Sequence, residues 1–117
     1  MMLLPTEVKI YLRLDPTDMR KSIDTLSILV KDTLELEPAS GHLFLFCNRQ
    51  RNKLKALYFE ENCFTLWYRR LERGKFIFPK DRDGHIEITN AHFDWLLASN
   101  RYSRADELES TFYDTFS

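Results

Sequence analysis

Five aspartates, Asp15, Asp18, Asp24, Asp81 and Asp83, are the first side chains whose type invites a chemical reading. Carboxylates gathered in one place can hold Mg²⁺ against a phosphate, the arrangement used by metal-dependent nucleases. Their local settings give most of them a plainer duty. In "DPTDMRKSIDTL" (15–26), Asp15 is placed to cap a helix with Pro16 at its first position, and Asp18 falls beside the unpaired amides of the first turn. Asp81 and Asp83 sit in "KDRDG" (80–84), a turn sequence. His42, His85 and His92, with Cys47 and Cys63, show no zinc-ligand spacing, and the two cysteines read as reduced thiols. Ser40 and His42 could enter a hydrolase triad with a distant Asp, but no nucleophile elbow is present. There is no GxxxxGK[ST], GxGxxG or HExxH, and three glycines leave no phosphate-cradling loop. The expectation is a chain with no catalytic residue, metal or cofactor. A metal-dependent nuclease or other phosphoryl-transfer factor acting on DNA through Asp15, Asp18 or Asp24 is the rival reading.

The basic side chains form the stronger lead. Formal net charge is −1, yet residues 49–82 hold ten basic and four acidic side chains, while residues 83–117 hold two and seven. Arg49, Arg51, Lys53 and Lys55 cluster at one chain reversal, and Arg69, Arg70, Arg73 and Lys75 cluster at the end of a later strand. Arg20 and Lys21 add an earlier pair. With Tyr58, Trp67 or Tyr68 as stacking rings, these cations make a candidate surface for nucleic acid or a protein partner, with salt-sensitive, micromolar binding to duplex DNA expected. Successive reversals of a meander alternate between sheet ends, so the sequence leaves open whether the two clusters meet. Ordinary solvated charge is the competing account. A stand-alone DNA-binding regulator is a further alternative, but the basic residues lie on and between strands rather than on one recognition helix.

The elements that must position these residues follow from periodicity. "VKIYLR" (8–13) alternates as a half-buried strand with Val8, Ile10 and Leu12 on one side. Met19, Ile23, Leu26, Val30 and Leu34 align on one face of a long helix expected over about residues 16–34. "HLFLFC" (42–47) is a strand buried on both sides, and "LKALYFE" (54–60) and "FTLWYRRLE" (64–72) complete an antiparallel meander. Asn62 suits a strained backbone angle at the reversal between them. "KFIFP" (75–79) and "HIEIT" (85–89) read as a hairpin, with Ile86 and Ile88 inward. Thr89 or Asn90 can cap a short helix through "AHFDWLLAS", whose apolar face is Phe93, Leu96 and Leu97. The class is α+β: an antiparallel meander packed on one long helix, with a short second helix.

Residues 1–99 are expected to form one domain and residues 100–117 an acidic extension, in which Leu108, Phe112 and Phe116 mark a peripheral helix ordered against a partner. The aromatic content, nine Phe, five Tyr and two Trp, supplies a core too rich for a disordered chain. No apolar run approaches the ~20 residues that span a bilayer and no signal-peptide pattern opens the chain, so a soluble cytoplasmic protein is expected.

Three blocks in this order, "PTDMRKSIDTL", "SGHLFLFCNRQRNKLKALYFE" and "FTLWYRRLERGKFIFP", resemble the TnpB accessory proteins (second open reading frame products, Orf2-like) of the IS66 family of insertion sequences. The resemblance covers about residues 3–98. It implies a non-catalytic accessory in transposition, working alongside a separate transposase and a companion helix-turn-helix protein, and no catalytic residue transfers. Where relatives carry a Gly-containing turn, this chain has Glu60-Glu61-Asn62-Cys63, implying a wider or differently twisted hairpin.

Overall fold

The computed structural model describes residues 7–77 and 84–98. In chain order the elements are β1 (Ile10–Arg13), α1 (Ile23–Thr33), β2 (Leu43–Cys47), β3 (Lys53–Glu60), β4 (Cys63–Arg70), β5 (His85–Ile88) and α2 (Asn90–Ala98). The five strands make one sheet in the order β4-β3-β2-β1-β5. The α+β class and the β2-β3-β4 antiparallel meander stand as expected. The sheet as a whole is mixed, because β1 and β2 pair in parallel, with Ile10, Tyr11 and Leu12 opposite Leu43, Phe44 and Leu45. Parallel neighbours need a crossover, and α1 provides it.

Alternation sorts the side chains into two apolar layers, one on each sheet face. On one face Leu26, Val30 and Leu34 of the α1 row pack on Phe44, Phe46 and Leu57, with Met19 and Ile23 at the margin. On the other, Leu43, Leu45, Leu54 and Ala56 meet Phe93, Leu96 and Leu97 of α2, together with Phe76 and Ile77. All five residues of β2 are buried, which explains a strand with no polar alternation. The result is three layers, helix on sheet on helix.

Two expectations are corrected. The long helix begins at Ile23, after Ser22, and not at Pro16, so Asp15 is not its cap. The cause is a competition for carbonyls. Arg13 Nη1 donates to the Asp15 and Pro16 carbonyls, and Lys55 Nζ donates to those of Met19 and Lys21, so acceptors a helical turn would use are already engaged. The hairpin expected between residues 75–79 and 85–89 is also not formed among the described residues, which include 75–77 and 84–89. β5 pairs antiparallel with β1, Leu12 opposite Ile86 and Ile10 opposite Ile88. Phe76 N donates instead to the Arg51 carbonyl, which draws that segment to the other side of the fold. The turn "KDRDG" lies outside the described residues except for Gly84, and so does the expected C-terminal helix.

The Glu60-Glu61-Asn62-Cys63 hairpin is tight rather than wide. Glu60 pairs directly with Cys63, and Glu61 and Asn62 take positive φ, at 51° and 62°. Two positive φ values in a two-residue loop match the twist of the flanking strands, and Asn tolerates that region better than most residues. At α2, Thr89 accepts at Oγ1 from the His92 amide at 3.1 Å, an N-cap bond. Thr89→Ala is expected to cost about 1 kcal/mol of stability, read as a shift of the urea midpoint with unchanged slope.

Candidate functional site

The meander itself brings the two basic clusters together. β4 runs antiparallel to β3, so its end returns to where β3 begins, and Lys53 stands opposite Arg70 and Lys55 opposite Tyr68. The Leu71 amide donates to the Asn52 carbonyl and the Phe76 amide to Arg51, which ties residues 71–76, with Arg73 and Lys75 between, to the same reversal. Within this end of the sheet lies a surface groove of about 540 Å³, lined by the loop after β1 (Pro16, Thr17, Asp18, Met19, Arg20), the loop before β3 (Asn48, Arg49, Gln50), and Lys53 and Tyr68.

Both loops are held firmly. Arg13 Nη1 also donates to Thr17 Oγ1 at 2.9 Å, and the buried Thr17 donates its amide to the Cys47 carbonyl. Asn48 closes the other loop from inside, its Oδ1 accepting from the Asn52 and Lys53 amides at 3.0 Å each. Arg13, Thr17 and Asn48 were not singled out by sequence, although an Asn opening a polar reversal is a signal for this kind of side-chain turn.

The cations fall into distinct roles. Lys55 is a staple, with both ammonium bonds at 2.7 Å and its charge 5.7 Å from the centre of the Tyr68 ring. Arg20 is paired through Nε and Nη2 with Asp18, at 2.7 Å for the closest contact, and Arg70 is paired with Glu72 at 2.8 Å. Arg49 and Lys53 line the groove with no carboxylate partner among the described residues. Arg69 lies on the opposite sheet face, its guanidinium 5.8 Å from the Trp67 ring. Of the three stacking rings, Trp67 packs edge-on against Phe93 and Tyr58 belongs to that same apolar layer, while Tyr68 lines the groove and is 49% exposed.

Asp15 accepts from the Gly84 amide at 3.4 Å, and Asp18 accepts from the Arg20 amide, so both brace loops ahead of α1. Among the described residues no three His, Cys, Asp or Glu side chains come together in a way that could hold a metal ion. Asp81 and Asp83 lie outside that set. Both cysteines are free thiols; burial pushes the Cys47 thiol up to about 12, which leaves it protonated and inert at neutral pH, and Cys63 is exposed. No helix among the described residues is long and apolar enough to cross a membrane.

The family profile described as "IS66 Orf2 like protein" matches residues 8–107, most of the chain. The chain belongs to the IS66 Orf2-like (TnpB) family. This is a family of accessory proteins associated with IS66 transposition. Two relatives from Sinorhizobium fredii (strain NBRC 101917 / NGR234) agree with that placement. The one described as "Uncharacterized protein y4hO" is 33% identical over 91 residues, 78% of this chain and 79% of the relative. The one described as "Uncharacterized protein y4jC" is 30% identical over 97 residues, 83% of each. No solved structure matches the chain.

In this IS66 Orf2-like chain, two substitutions separate the staple from the ion pair. Lys55→Met removes two charge-assisted bonds between β3 and the 19–21 loop, and an expected loss of about 2–3 kcal/mol would appear in denaturant unfolding, with increased proteolysis near Met19. The Asp18 carboxyl is held well below its usual range, at about 2, first by side-chain hydrogen bonds from Arg20. The sign follows: a depressed pKa keeps the pair intact above the ordinary 3.8 and loses it only as pH falls through about 2. At neutral pH Asp18 therefore cancels Arg20. Asp18→Asn is expected to tighten binding of anionic DNA about three- to tenfold at low salt and to steepen the salt dependence by about one ion, measured by fluorescence anisotropy.

Proposed function

We propose that this chain is a non-catalytic transposition accessory that acts in the cytoplasm by docking the element's transposase, its companion helix-turn-helix protein and duplex DNA at the basic end of the sheet. The observation that carries this reading is the meeting of both basic clusters at one end of the sheet, beside a groove whose wall holds Arg49 and Lys53 of the first cluster, with no carboxylate paired with either among the described residues. Lys21, Arg51, Arg73 and Lys75 belong to the same end through the loops that bear them and extend the surface beyond the groove. Cations held on well-braced loops position a partner without themselves reacting. The family supplies the setting, since its proteins are associated with IS66 transposition.

The test is co-purification of the tagged chain with the other two proteins of its element, with and without DNA carrying the element's ends. Retention of the transposase, the companion or the DNA at moderate salt is expected. Absence of association in every combination would contradict the reading. Metal-dependent cleavage of DNA that disappears in Asp18→Asn, with the fold intact, would replace it with the nuclease alternative.

A further inference from the structure

We propose that the groove takes an unpaired strand of DNA, with a base stacked on Tyr68 and the neighbouring phosphates held by Arg49 and Lys53; this rests on the docking reading above and adds to the duplex named there a form of DNA that the groove itself prefers. Three observations converge. Among the described residues Tyr68 is the large aromatic left half exposed, where burial is otherwise the rule for rings of this size. It stands directly across from Lys55 and therefore diagonal to Lys53, about 7–8 Å away on the same face. Lys55 lies by the ring and is bound to two carbonyls, so its ammonium enriches the local positive field while being held away from a ligand.

The groove, at about 540 Å³, falls within the ~300–1,000 Å³ range of pockets that hold small molecules, which is room for a nucleotide. A duplex keeps its base faces stacked on one another, so it can offer phosphates to Arg49 and Lys53 but no ring to Tyr68. An unpaired strand offers both. Aromatic stacking beside a cationic track is the usual way such strands are held without sequence preference. The Asp18–Arg20 pair makes one wall of the groove nearly neutral, which leaves the phosphate path on the Arg49 and Lys53 side.

The experiment compares the full chain binding a fluorescein-labelled 12-nucleotide single-stranded DNA of mixed sequence and the duplex of that sequence, by anisotropy in 100 mM salt. The single strand is expected to bind at least fivefold more tightly. Tyr68→Ala and Tyr68→Leu are expected to weaken single-strand binding about five- to 100-fold, Tyr68→Phe to preserve it, and all three to leave duplex binding unchanged. Because Tyr68 is half exposed, unchanged thermal melting is the control for folding. Duplex binding as tight as single-strand binding, or a Tyr68→Leu variant that binds the single strand normally, overturns the inference and leaves the docking reading intact. No binding of either DNA also overturns it, while retention of the transposase in the co-purification would still support docking.

Discussion

Reversing Arg49 and Lys53 together, to glutamate, is expected to weaken DNA binding about 100-fold at 50 mM salt, with the slope of log K against log salt shallower by about two. Both cations line the groove, and neither has a carboxylate partner among the described residues. The change should leave the fold alone. Arg49 is exposed on the loop, and a glutamate at 53 would face Arg70 across the β3–β4 ladder, an attractive cross-strand pair. Matching melting curves with lost binding would place the effect in the surface. A double variant that binds as the parent does would move the docking surface elsewhere.

Phe46→Ala is expected to be the most damaging core change, lowering the free energy of unfolding by about 3–5 kcal/mol. Phe46 is fully buried between the sheet and the α1 row of Leu26, Val30 and Leu34, so truncation leaves a cavity roofed by a helix that cannot easily collapse onto it. Against the ~5–15 kcal/mol typical of a domain, that is a large share of its stability. The melting temperature should fall by more than about 10 °C. Phe46→Leu should retain most of the lost stability, because it keeps much of the volume. A loss below about 1 kcal/mol for Phe46→Ala would mean that α1 does not rest on this face.

What could be read from sequence divides along physical lines. β2 was legible because five consecutive apolar residues, Leu43 to Cys47, suit a strand covered on both faces. The α1 row was legible because its helical spacing survives even where the first turn does not form. Its starting residue was not, because that depends on Lys55 reaching back over 34 and 36 positions to the Lys21 and Met19 carbonyls. The parallel β1–β2 pairing was available in principle, as a strand, a helix and a strand in succession is the pattern of a crossover unit. The partner of β5 was not, since the turn-forming sequence of residues 80–84 makes a local hairpin look sufficient while β1 offers an open edge from far away.

For the candidate site, residue types were legible and their division of labour was not. Arg20, Arg49, Lys53 and Lys55 look alike in a string of basic residues, yet the first lines the groove neutralised by Asp18, the next two line it without a carboxylate partner among the described residues, and the last is stapled to the backbone. The convergence of the two clusters follows from antiparallel pairing alone, because the strand that leaves the first reversal is the one whose partner returns to it. Trp67 and Tyr68 are adjacent in sequence and face opposite sides of the sheet, so only the strand's phase assigns one to the core and the other to the groove.

The most direct test of the docking surface is lysine cross-linking, mapped by mass spectrometry, of the chain assembled with its transposase and element-end DNA. Cross-links to the transposase concentrated at Lys21, Lys53 and Lys75, with DNA protecting Lys53 from acylation, are the predicted result. Cross-links confined to Lys9 and Lys31, with Lys53 equally reactive alone and in the complex, would contradict it.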